Sequence, residues 1–196
     1  KSKKDFSIQG IRYFLESGYF PSEFSVNENI KKLKAGQILE FDEKGLIVKN
    51  YWNSNTIKTN YSFKEKDEEK ILDELDSLLY NSVKERMISD VPLGAFLSGG
   101  IDSSIVVAMM SKISRNPVKT FTIGFKEKDF DESSYAEMVA NYLNTEHTCK
   151  ILEVSDLLAL LPDFLKNFDE PFFDTSAFPT MAVSKLAREK VKVCLT

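Results

Sequence analysis

The sequence predicts an α/β fold in which a parallel sheet is covered by helices on both faces. From residue 93 onward, short apolar segments typical of strands alternate with segments whose apolar residues recur every three or four positions. The first strand segment, residues 93–97, runs through a pair of glycines directly into a helical pattern. Strands that alternate with helices form parallel sheets, and ligands bind at the carboxyl ends of their strands.

The first sixty residues predict a separate, smaller piece. Residues 10–17 form a short amphipathic helix, and residues 37–42 and 46–52 form two strands joined by a turn in which Gly45 supplies a positive φ. About fifty residues are too few for a stable core, so we interpret this piece as the end of a larger domain that begins upstream. Residues 53–66 are polar and lack periodicity, which predicts a linker.

The elements after the linker alternate regularly. In order, we expect a helix, a strand, a helix, a strand, a helix, a strand, two helical stretches and a buried final strand, over residues 67–89, 93–97, 103–113, 118–124, 131–144, 147–152, 156–168, 177–189 and 191–196. The fifth of these carries one apolar face, formed by Tyr135, Met138, Val139, Tyr142 and Leu143. We therefore predict two domains, residues 1–60 and residues 61–196.

The composition argues against two classes of partner. The chain has 196 residues with 26 Lys and Arg against 30 Asp and Glu, a net charge of −4, and no dense basic segment, so nucleic acid is not indicated. No apolar segment approaches the roughly 20 residues that span a bilayer, so a membrane is not indicated either. Cys149 and Cys194 are far apart in sequence, and we expect them to lie in apolar surroundings as buried free thiols of a cytoplasmic protein. Because there is no initiator methionine and the sequence stops within an expected strand, we interpret it as a fragment.

Residues 98–104, SGGIDSS, predict a site for phosphate groups. Two glycines let the main chain approach phosphate oxygens, and the N-terminus of the following helix attracts anions. Ser98, Ser103 and Ser104 add hydroxyl donors. The carboxylate of Asp102 would repel phosphate unless a cation lay between them, so it indicates Mg²⁺. No lysine follows the glycines, which excludes the P-loop that handles a γ-phosphate. A helix cap without a ligand is the alternative interpretation of this pattern.

A second group of polar residues leads into the helix expected at 177–189. Glu170, Asp174, Thr175 and Ser176 could line a pocket for an amino acid substrate, or Asp174 or Ser176 could simply cap that helix. The residues alone leave these two interpretations open.

Four further residues are interpreted as structural. His147 is the only histidine and lies at the start of an expected strand, where a hydrogen-bonded structural role is favoured over a catalytic base. Asp129, Asp131 and Glu132 resemble a metal-binding cluster, but a solvated loop and a helix cap explain them better.

Motifs spread along nearly the whole chain resemble a known family. Residues 90–104, DVPLGAFLSGGIDSS, resemble the pyrophosphate loop of the ATP-pyrophosphatase superfamily, which cleaves ATP between the α and β phosphates. The wider match is to the asparagine synthetase family, through TFTIGF, FDESSYAEMVANYLNTEH and DEPFFDTSAFPTMAVSKLAREKVKVCLT. Residues 18–53 are similar to the end of that family's α+β glutaminase domain and its link to the synthetase domain.

The resemblance implies roles for particular residues. Two of them, Leu97 and Ile123, would contact the nucleotide, and Thr196 stands where the family has the serine that opens a second glycine-acid motif. Pyrophosphate and Mg²⁺ would be held by Ser98, Gly99, Gly100, Asp102 and Ser103. The acidic residues of the second motif, the family's catalytic lysine and the glutaminase cysteine have no counterpart in this sequence, so no catalytic residue is assigned.

The resemblance also implies an adenine nucleotide alpha-hydrolase-like fold and an activity. Aspartate would be adenylated by ATP to β-aspartyl-AMP with release of pyrophosphate, and ammonia from glutamine would then give asparagine. Two alternatives stay open: a related amidotransferase or cyclase that acts on another carboxylate, and a nucleotide-binding module without turnover. The oligomeric state is open as well, with a homodimer as one alternative.

Overall fold

The computed structural model describes residues 5–56 and 68–196. Of these, residues 5–56 and 165–174 form one compact unit, and residues 68–164 and 175–196 form a second. The predicted domain boundary between residues 60 and 61 and most of the predicted linker lie outside the described residues. The sequence placed residues 165–174 in the second domain, whereas the structure groups them with the first unit.

The first unit contains one helix and one hairpin. Helix α1 (Ile8–Ser17) begins after Ser7, whose Oγ accepts a hydrogen bond from Gly10 N at 3.1 Å, and ends at Gly18 with a φ of 78°. Strands β1 (Gln37–Asp42) and β2 (Gly45–Asn50) pair in antiparallel fashion, and Gly45 has the expected positive φ. The predicted hairpin is confirmed.

Both faces of this hairpin are exposed. Large apolar side chains on both strands are accessible to solvent, namely Ile38, Leu39, Phe41, Leu46, Ile47 and Val48. A two-stranded ribbon without a covered face is marginally stable in water. The described residues thus leave the apolar surface of the hairpin uncovered.

The second unit is a doubly wound α/β fold. Four parallel strands, in the order β5-β4-β3-β6, are β3 (Leu93–Phe96), β4 (Lys119–Phe125), β5 (Glu146–Leu152) and β6 (Val193–Leu195). The remaining helices are α2 (Glu68–Arg86), α3 (Ile101–Ile113), α4 (Ser133–Tyr142), α5 (Val154–Ala159), α6 (Leu161–Asn167) and α7 (Ala177–Arg188). The predicted order of helices and strands is confirmed, with shifts of a few residues at the ends of elements.

Helices cover both faces of the sheet. Successive residues of β3 point to opposite sides, so that Ala95 packs with α2, α3 and α4 while Phe96 packs with α7. The first core contains Val83, Val107, Met110 and Ala136, and the second contains Phe121, Val183 and Ala187. The predicted fold class is therefore correct.

The predicted apolar face of α4 is correct only in part. Val139 and Leu143 pack against the core beside the buried Ala136 and Ala140. Tyr135, Met138 and Tyr142 are instead exposed, Tyr142 by 88%. Close contact with the loop involves the first turn of this helix, since a Cβ added to Gly99 would lie only 2.6 Å from the main-chain nitrogen of Ala136.

Two expectations of burial are corrected at the edges of the sheet. The final strand covers only Val193–Leu195, and Val193 is 43% exposed because β6 has a neighbour on one side only within the described sheet. Cys149 lies on β5, at the other edge of that sheet, and is exposed; Cys194 is half-buried. Both cysteines are free thiols, as predicted, but neither is buried. None of the described helices has the length and apolar character needed to cross a membrane.

Candidate functional site

The candidate site lies at the carboxyl end of β3, where residues 97–100 lead into α3. The chain passes from β3 to β4 and β5 on one side, and then returns to place β6 on the other side of β3. Such a reversal of strand order opens a crevice beyond the carboxyl ends of the strands, and ligands of open α/β sheets bind there. The loop after β3 therefore occupies the expected binding position of this fold.

Hydroxyl groups of the loop and the helix hold the loop in shape. Ser98 Oγ lies 3.0 Å from Ser103 Oγ and accepts a hydrogen bond from Gly100 N at 3.3 Å. Ser98 N donates to Ser103 Oγ at 3.3 Å, and Ser104 Oγ donates to the Gly100 carbonyl at 2.7 Å. The predicted residues Ser98, Gly100, Ser103 and Ser104 are thus brought together in one small network.

The N-terminus of α3 is open. Gly100 occupies the N-cap position with extended backbone angles, φ −70° and ψ 162°, and no described side chain provides a capping hydrogen bond there. The first N–H groups of an α-helix have no partner within the helix, and together with the helix dipole they favour an anion. This end of α3 can therefore accept a phosphate group.

The two glycines of the loop differ in whether the fold requires a glycine at their position. Gly99 has a φ of 83°, and an added Cβ would lie 2.6 Å from both Ala136 N and Tyr135 Cβ, so the fold itself requires glycine there. Gly100 has a φ open to any residue, and an added Cβ would meet only the Ser98 hydroxyl oxygen, at 3.3 Å. Packing and a positive φ thus explain Gly99, whereas Gly100 has a backbone conformation that does not require glycine.

Asp102 has the properties expected of a magnesium ligand. It lies in the first turn of α3, is exposed, and forms no hydrogen bond or ion pair with a described residue. Among the described residues, no group of three or more His, Cys, Asp or Glu side chains could hold a metal ion. Mg²⁺ does not need such a group, because one or two carboxylates together with substrate phosphates commonly bind it. The chemistry of this site therefore fits a magnesium ion held between Asp102 and a phosphate.

The remaining predicted nucleotide contacts are spread over both faces of the sheet. The Leu97 side chain is 1% exposed and belongs to the core beneath α3 and α4, so its main chain is the part near the loop. Ile123 is half-buried and packs on the opposite face, against the core that includes Val183. Thr196 is exposed directly after β6, beside the carboxyl end of β3. The structure brings Thr196 to the edge of the loop, but it does not bring the Leu97 and Ile123 side chains together.

A broad cavity of about 1050 Å³ lies beyond the carboxyl end of β4. Its walls are mostly apolar but include two hydroxyl residues, Thr175 and Ser176, and two acidic residues, Glu127 and Glu132. The apolar lining residues are Phe125, Val154, Leu157, Leu158, Leu161, Phe178 and Pro179. Ser176 is also the N-cap residue of α7, although its side chain makes no capping hydrogen bond. Of the predicted pocket residues, Thr175 and Ser176 therefore line a cavity large enough for a small substrate.

Glu170 and Asp174 belong to the first unit. Glu170 is half-buried, and both of its carboxylate oxygens are engaged: one accepts a hydrogen bond from Val26 N at 3.3 Å, and the other forms an ion pair with Lys32 Nζ at 2.7 Å. Lys32 also donates to the Phe20 carbonyl at 2.9 Å. These contacts favour a structural role for Glu170 over a role in binding substrate.

Two of the four residues interpreted as structural, Asp131 and His147, have hydrogen-bond partners within the described structure. Asp131 accepts hydrogen bonds from Ser133 Oγ at 3.1 Å and from the main-chain N–H groups of Ser133 and Phe125, and these bonds lower the pKa of its carboxyl group. His147 Nδ1 lies 2.9 Å from Thr120 Oγ1, and burial lowers the pKa of the imidazole. Both arrangements support a structural role.

One residue near the loop was missed by sequence reasoning. Thr122, in the middle of β4, is only 4% exposed, and its hydroxyl donates to the carbonyl oxygen of Leu97. A threonine within the apolar segment TFTIGF was the available signal, because a buried hydroxyl needs a hydrogen-bond partner. The sequence could not say that the partner would be the residue that opens the loop.

Sequence comparison places the chain among known proteins. A family model described as "Asparagine synthase" matches residues 74–196. The chain is 38% identical over 197 residues to "Putative asparagine synthetase (glutamine-hydrolyzing) 2" of Methanocaldococcus jannaschii, covering 99% of this chain and 37% of that protein. It is 31% identical over 189 residues to "Asparagine synthetase (glutamine-hydrolyzing) 1" of Bacillus subtilis, covering 96% of this chain and 29% of that protein. The chain thus spans about a third of the length of these relatives.

Solved structures resemble the chain more distantly. An NMN synthetase from Francisella tularensis is 16% identical, with a TM-score of 0.44 over 62% of this chain and 52% of that chain, too low a score to carry an argument. The residues that the family model matches make up well over half of the 196-residue chain. The chain belongs to the asparagine synthase family.

Proposed function

We propose that the chain contributes the ATP-binding part of a glutamine-hydrolysing asparagine synthetase, with residues 61–196 from the synthetase domain and residues 1–60 from the end of the glutaminase domain. In this reaction the side-chain carboxylate of aspartate attacks the α-phosphorus of ATP. The products of this step are β-aspartyl-AMP and pyrophosphate. Ammonia released from glutamine then displaces AMP and gives asparagine.

The observation that carries the proposal is the open junction between β3 and α3. Gly100 leaves space at a helix N-terminus without a side-chain cap, its φ of −70° does not require glycine, and an added Cβ would meet one protein atom, Ser98 Oγ at 3.3 Å. A fixed set of N–H donors at such a site stabilises the negative charge that develops on a leaving group. Pyrophosphate is the leaving group of adenylation, so the junction suits that reaction.

The residues of the loop have separate tasks in this proposal. The N–H groups of the first turn of α3 bind pyrophosphate oxygens, and Gly100 allows those oxygens to approach the main chain. Ser98 and Ser103 orient the loop and supply hydroxyl donors. Asp102 would hold Mg²⁺, which when bound neutralises phosphate charge. Thr196, at the end of β6, lies where it can add a further hydroxyl donor.

One observation favours the alternative acceptor. The charged side chains among the described residues that line the cavity beyond β4 are Glu127 and Glu132, both of them acidic. Aspartate carries two carboxylates, and carboxylates are bound most strongly by cationic donors such as arginine. As far as the described lining goes, the cavity suits an acceptor with an apolar body and fewer negative charges. A related ligase that activates such a carboxylate is therefore the second candidate.

Product analysis of the full-length protein tests the proposal. With ATP, Mg²⁺, glutamine and aspartate, we expect AMP, pyrophosphate and asparagine in equal amounts. ADP and phosphate as products would contradict the proposal, because cleavage would then occur at the other phosphoanhydride bond. AMP formed with another carboxylate and never with aspartate would favour the second candidate. ATP binding without any product would favour a module without turnover.

A further inference from the structure

We propose that Thr122 is a positioning residue for the loop after β3, and that its hydroxyl aims the loop's N–H groups at the bound phosphate. The inference rests on the proposed function of that loop but concerns a residue outside it. Thr122 lies in the middle of β4 and is 4% exposed, so its hydroxyl is directed into the interior of the protein.

The contact lies at the point where the sheet gives way to the loop. Beyond Phe96, the last residue of β3, Leu97 N donates to the Phe121 carbonyl at 3.0 Å. The hydroxyl of Thr122 then donates to the carbonyl oxygen of Leu97. Leu97 is therefore held to β4 through both its N–H and its C=O group.

Peptide geometry carries this restraint into the loop. The carbonyl of Leu97 and the N–H of Ser98 belong to the same planar peptide group and point in opposite directions. Holding the carbonyl towards β4 therefore directs the Ser98 N–H towards α3, where it donates to Ser103 Oγ at 3.3 Å. Through Ser98, whose hydroxyl accepts a hydrogen bond from Gly100 N, the restraint reaches the N-cap of α3.

The loop is restrained from a second side by α4. Gly99 packs directly against Tyr135 and Ala136 in the first turn of that helix. Contact with α4 fixes the position of the loop, whereas the hydrogen bond from Thr122 fixes the rotation of its first peptide group. A loop that is oriented before the ligand arrives needs no reorganisation as negative charge develops.

A neighbouring threonine provides a matched control. Thr120 is 0% exposed, lies on the same face of β4, and differs from Thr122 in its partners, which are Thr145 Oγ1 and His147 Nδ1, both at 2.9 Å. Valine has the shape of threonine without the hydroxyl group. Thr122→Val and Thr120→Val each remove one buried hydroxyl from the same strand, but only Thr122→Val removes a bond to the loop.

The experiment compares parent, Thr122→Val, Thr122→Ser and Thr120→Val in the full-length protein. Binding of magnesium pyrophosphate is measured by calorimetry, exchange of labelled pyrophosphate into ATP is measured with aspartate, and the unfolding temperature is recorded. We expect Thr122→Val to lower affinity and exchange about 10- to 100-fold, which is the scale of a misplaced binding group. Thr122→Ser, which keeps the hydroxyl, should restore both to within about threefold, and Thr120→Val should leave both near parent values.

Several results would overturn the inference. Parent-like binding by Thr122→Val would do so, as would an equal loss of binding in Thr120→Val at a similar unfolding temperature. If Thr122→Val does not fold, Thr122→Ala serves in its place, since it removes the hydroxyl without adding bulk. Absence of exchange in the parent would contradict the proposed function alone, because pyrophosphate binding still reports on Thr122.

Discussion

Two of the strand–helix junctions at the carboxyl edge of the described sheet, those after β3 and after β4, have opposite chemistry. After β4, the carboxylate of Asp131 accepts hydrogen bonds from Phe125 N and Ser133 N, both at 3.2 Å, and so occupies the start of α4. After β3, no described side chain caps α3 at Gly100. One junction is closed by the protein's own anion, and the other is left for an anion from outside.

The glycines of the two junctions show the same contrast. A Cβ added to Gly124 would lie 2.6 Å from the Asp131 carboxylate oxygen, so this glycine makes room for a side chain of the protein. A Cβ added to Gly100 would meet only the Ser98 hydroxyl. A glycine that the fold does not need, at an uncapped helix N-terminus, is therefore a better indicator of a ligand than the presence of glycine alone.

The largest effect is expected when the open junction is closed. Gly100→Asp places a carboxylate at an N-cap position whose extended backbone suits aspartate. We expect exchange of pyrophosphate into ATP to fall on the order of 10³-fold, because the new carboxylate competes with phosphate for the same N–H groups. Stability should stay equal or rise by a few tenths of a kcal/mol, since aspartate is a slightly better N-cap than glycine.

Unfolding temperature and exchange are measured on the same Gly100→Asp protein. A loss of exchange together with a fall of more than about 4 °C would contradict the interpretation, since a shift of that size corresponds to more than about 1 kcal/mol in a domain of this length. Retained exchange would contradict it as well.

A smaller effect is expected from the carboxylate of the open junction. Asp102 is exposed and has no described partner, so Asp102→Asn should leave the unfolding temperature within about 2 °C of the parent value. The affinity for ATP in the presence of Mg²⁺ should fall about tenfold, because a neutral amide binds Mg²⁺ more weakly than a carboxylate. Calorimetric titration of ATP with and without Mg²⁺ checks this prediction. An equal effect of Mg²⁺ in parent and variant would show that Asp102 is not a ligand.

The smallest effect concerns the closed junction and depends on pH. Hydrogen bonds, first of all that from Ser133 Oγ, lower the pKa of Asp131 in the folded protein, so its charge stabilises the fold above the unfolded pKa of about 4. This stabilisation is lost as the pH falls through the lower, folded pKa. Asp131→Asn should therefore be less stable than the parent at pH 7, and the difference should shrink below about pH 4. Urea unfolding at several pH values measures it, and a difference that grows on acidification would contradict the assignment.

The sequence predicted what depends on local pattern. Strict alternation of strands and helices from residue 93 onward predicted the parallel sheet, and the SGG-x-D pattern predicted the loop at its edge. Gly45 was expected at a turn and has the positive φ that the turn requires. These features depend on neighbouring residues, which the sequence displays directly.

The features that the sequence did not predict depend on contacts between distant residues. Thr122 bonds to Leu97 across 25 positions, and Glu170 pairs with Lys32 across 138. Cys149 was expected to be buried as a free thiol, but it is exposed, because strand order places β5 at an edge of the described sheet. Strand order and long-range pairing are properties of the fold, and periodicity along the chain does not reveal them.

The most direct test compares magnesium pyrophosphate binding to the full-length parent, Gly100→Ala and Asp131→Ala. We expect each variant to lose a different property, binding in Gly100→Ala and stability in Asp131→Ala. Gly100→Ala should bind about 100-fold more weakly while its unfolding temperature stays within about 2 °C of the parent, because the methyl group fills ligand space and meets one protein atom, the Ser98 hydroxyl oxygen at 3.3 Å. Asp131→Ala should lose about 1 kcal/mol of stability with the hydrogen bonds that it accepts from Phe125 and Ser133, and should lose far less affinity than Gly100→Ala. Parent-like binding by Gly100→Ala, or an equal loss of binding in both variants, would contradict the claim that the junction after β3 is the phosphate site.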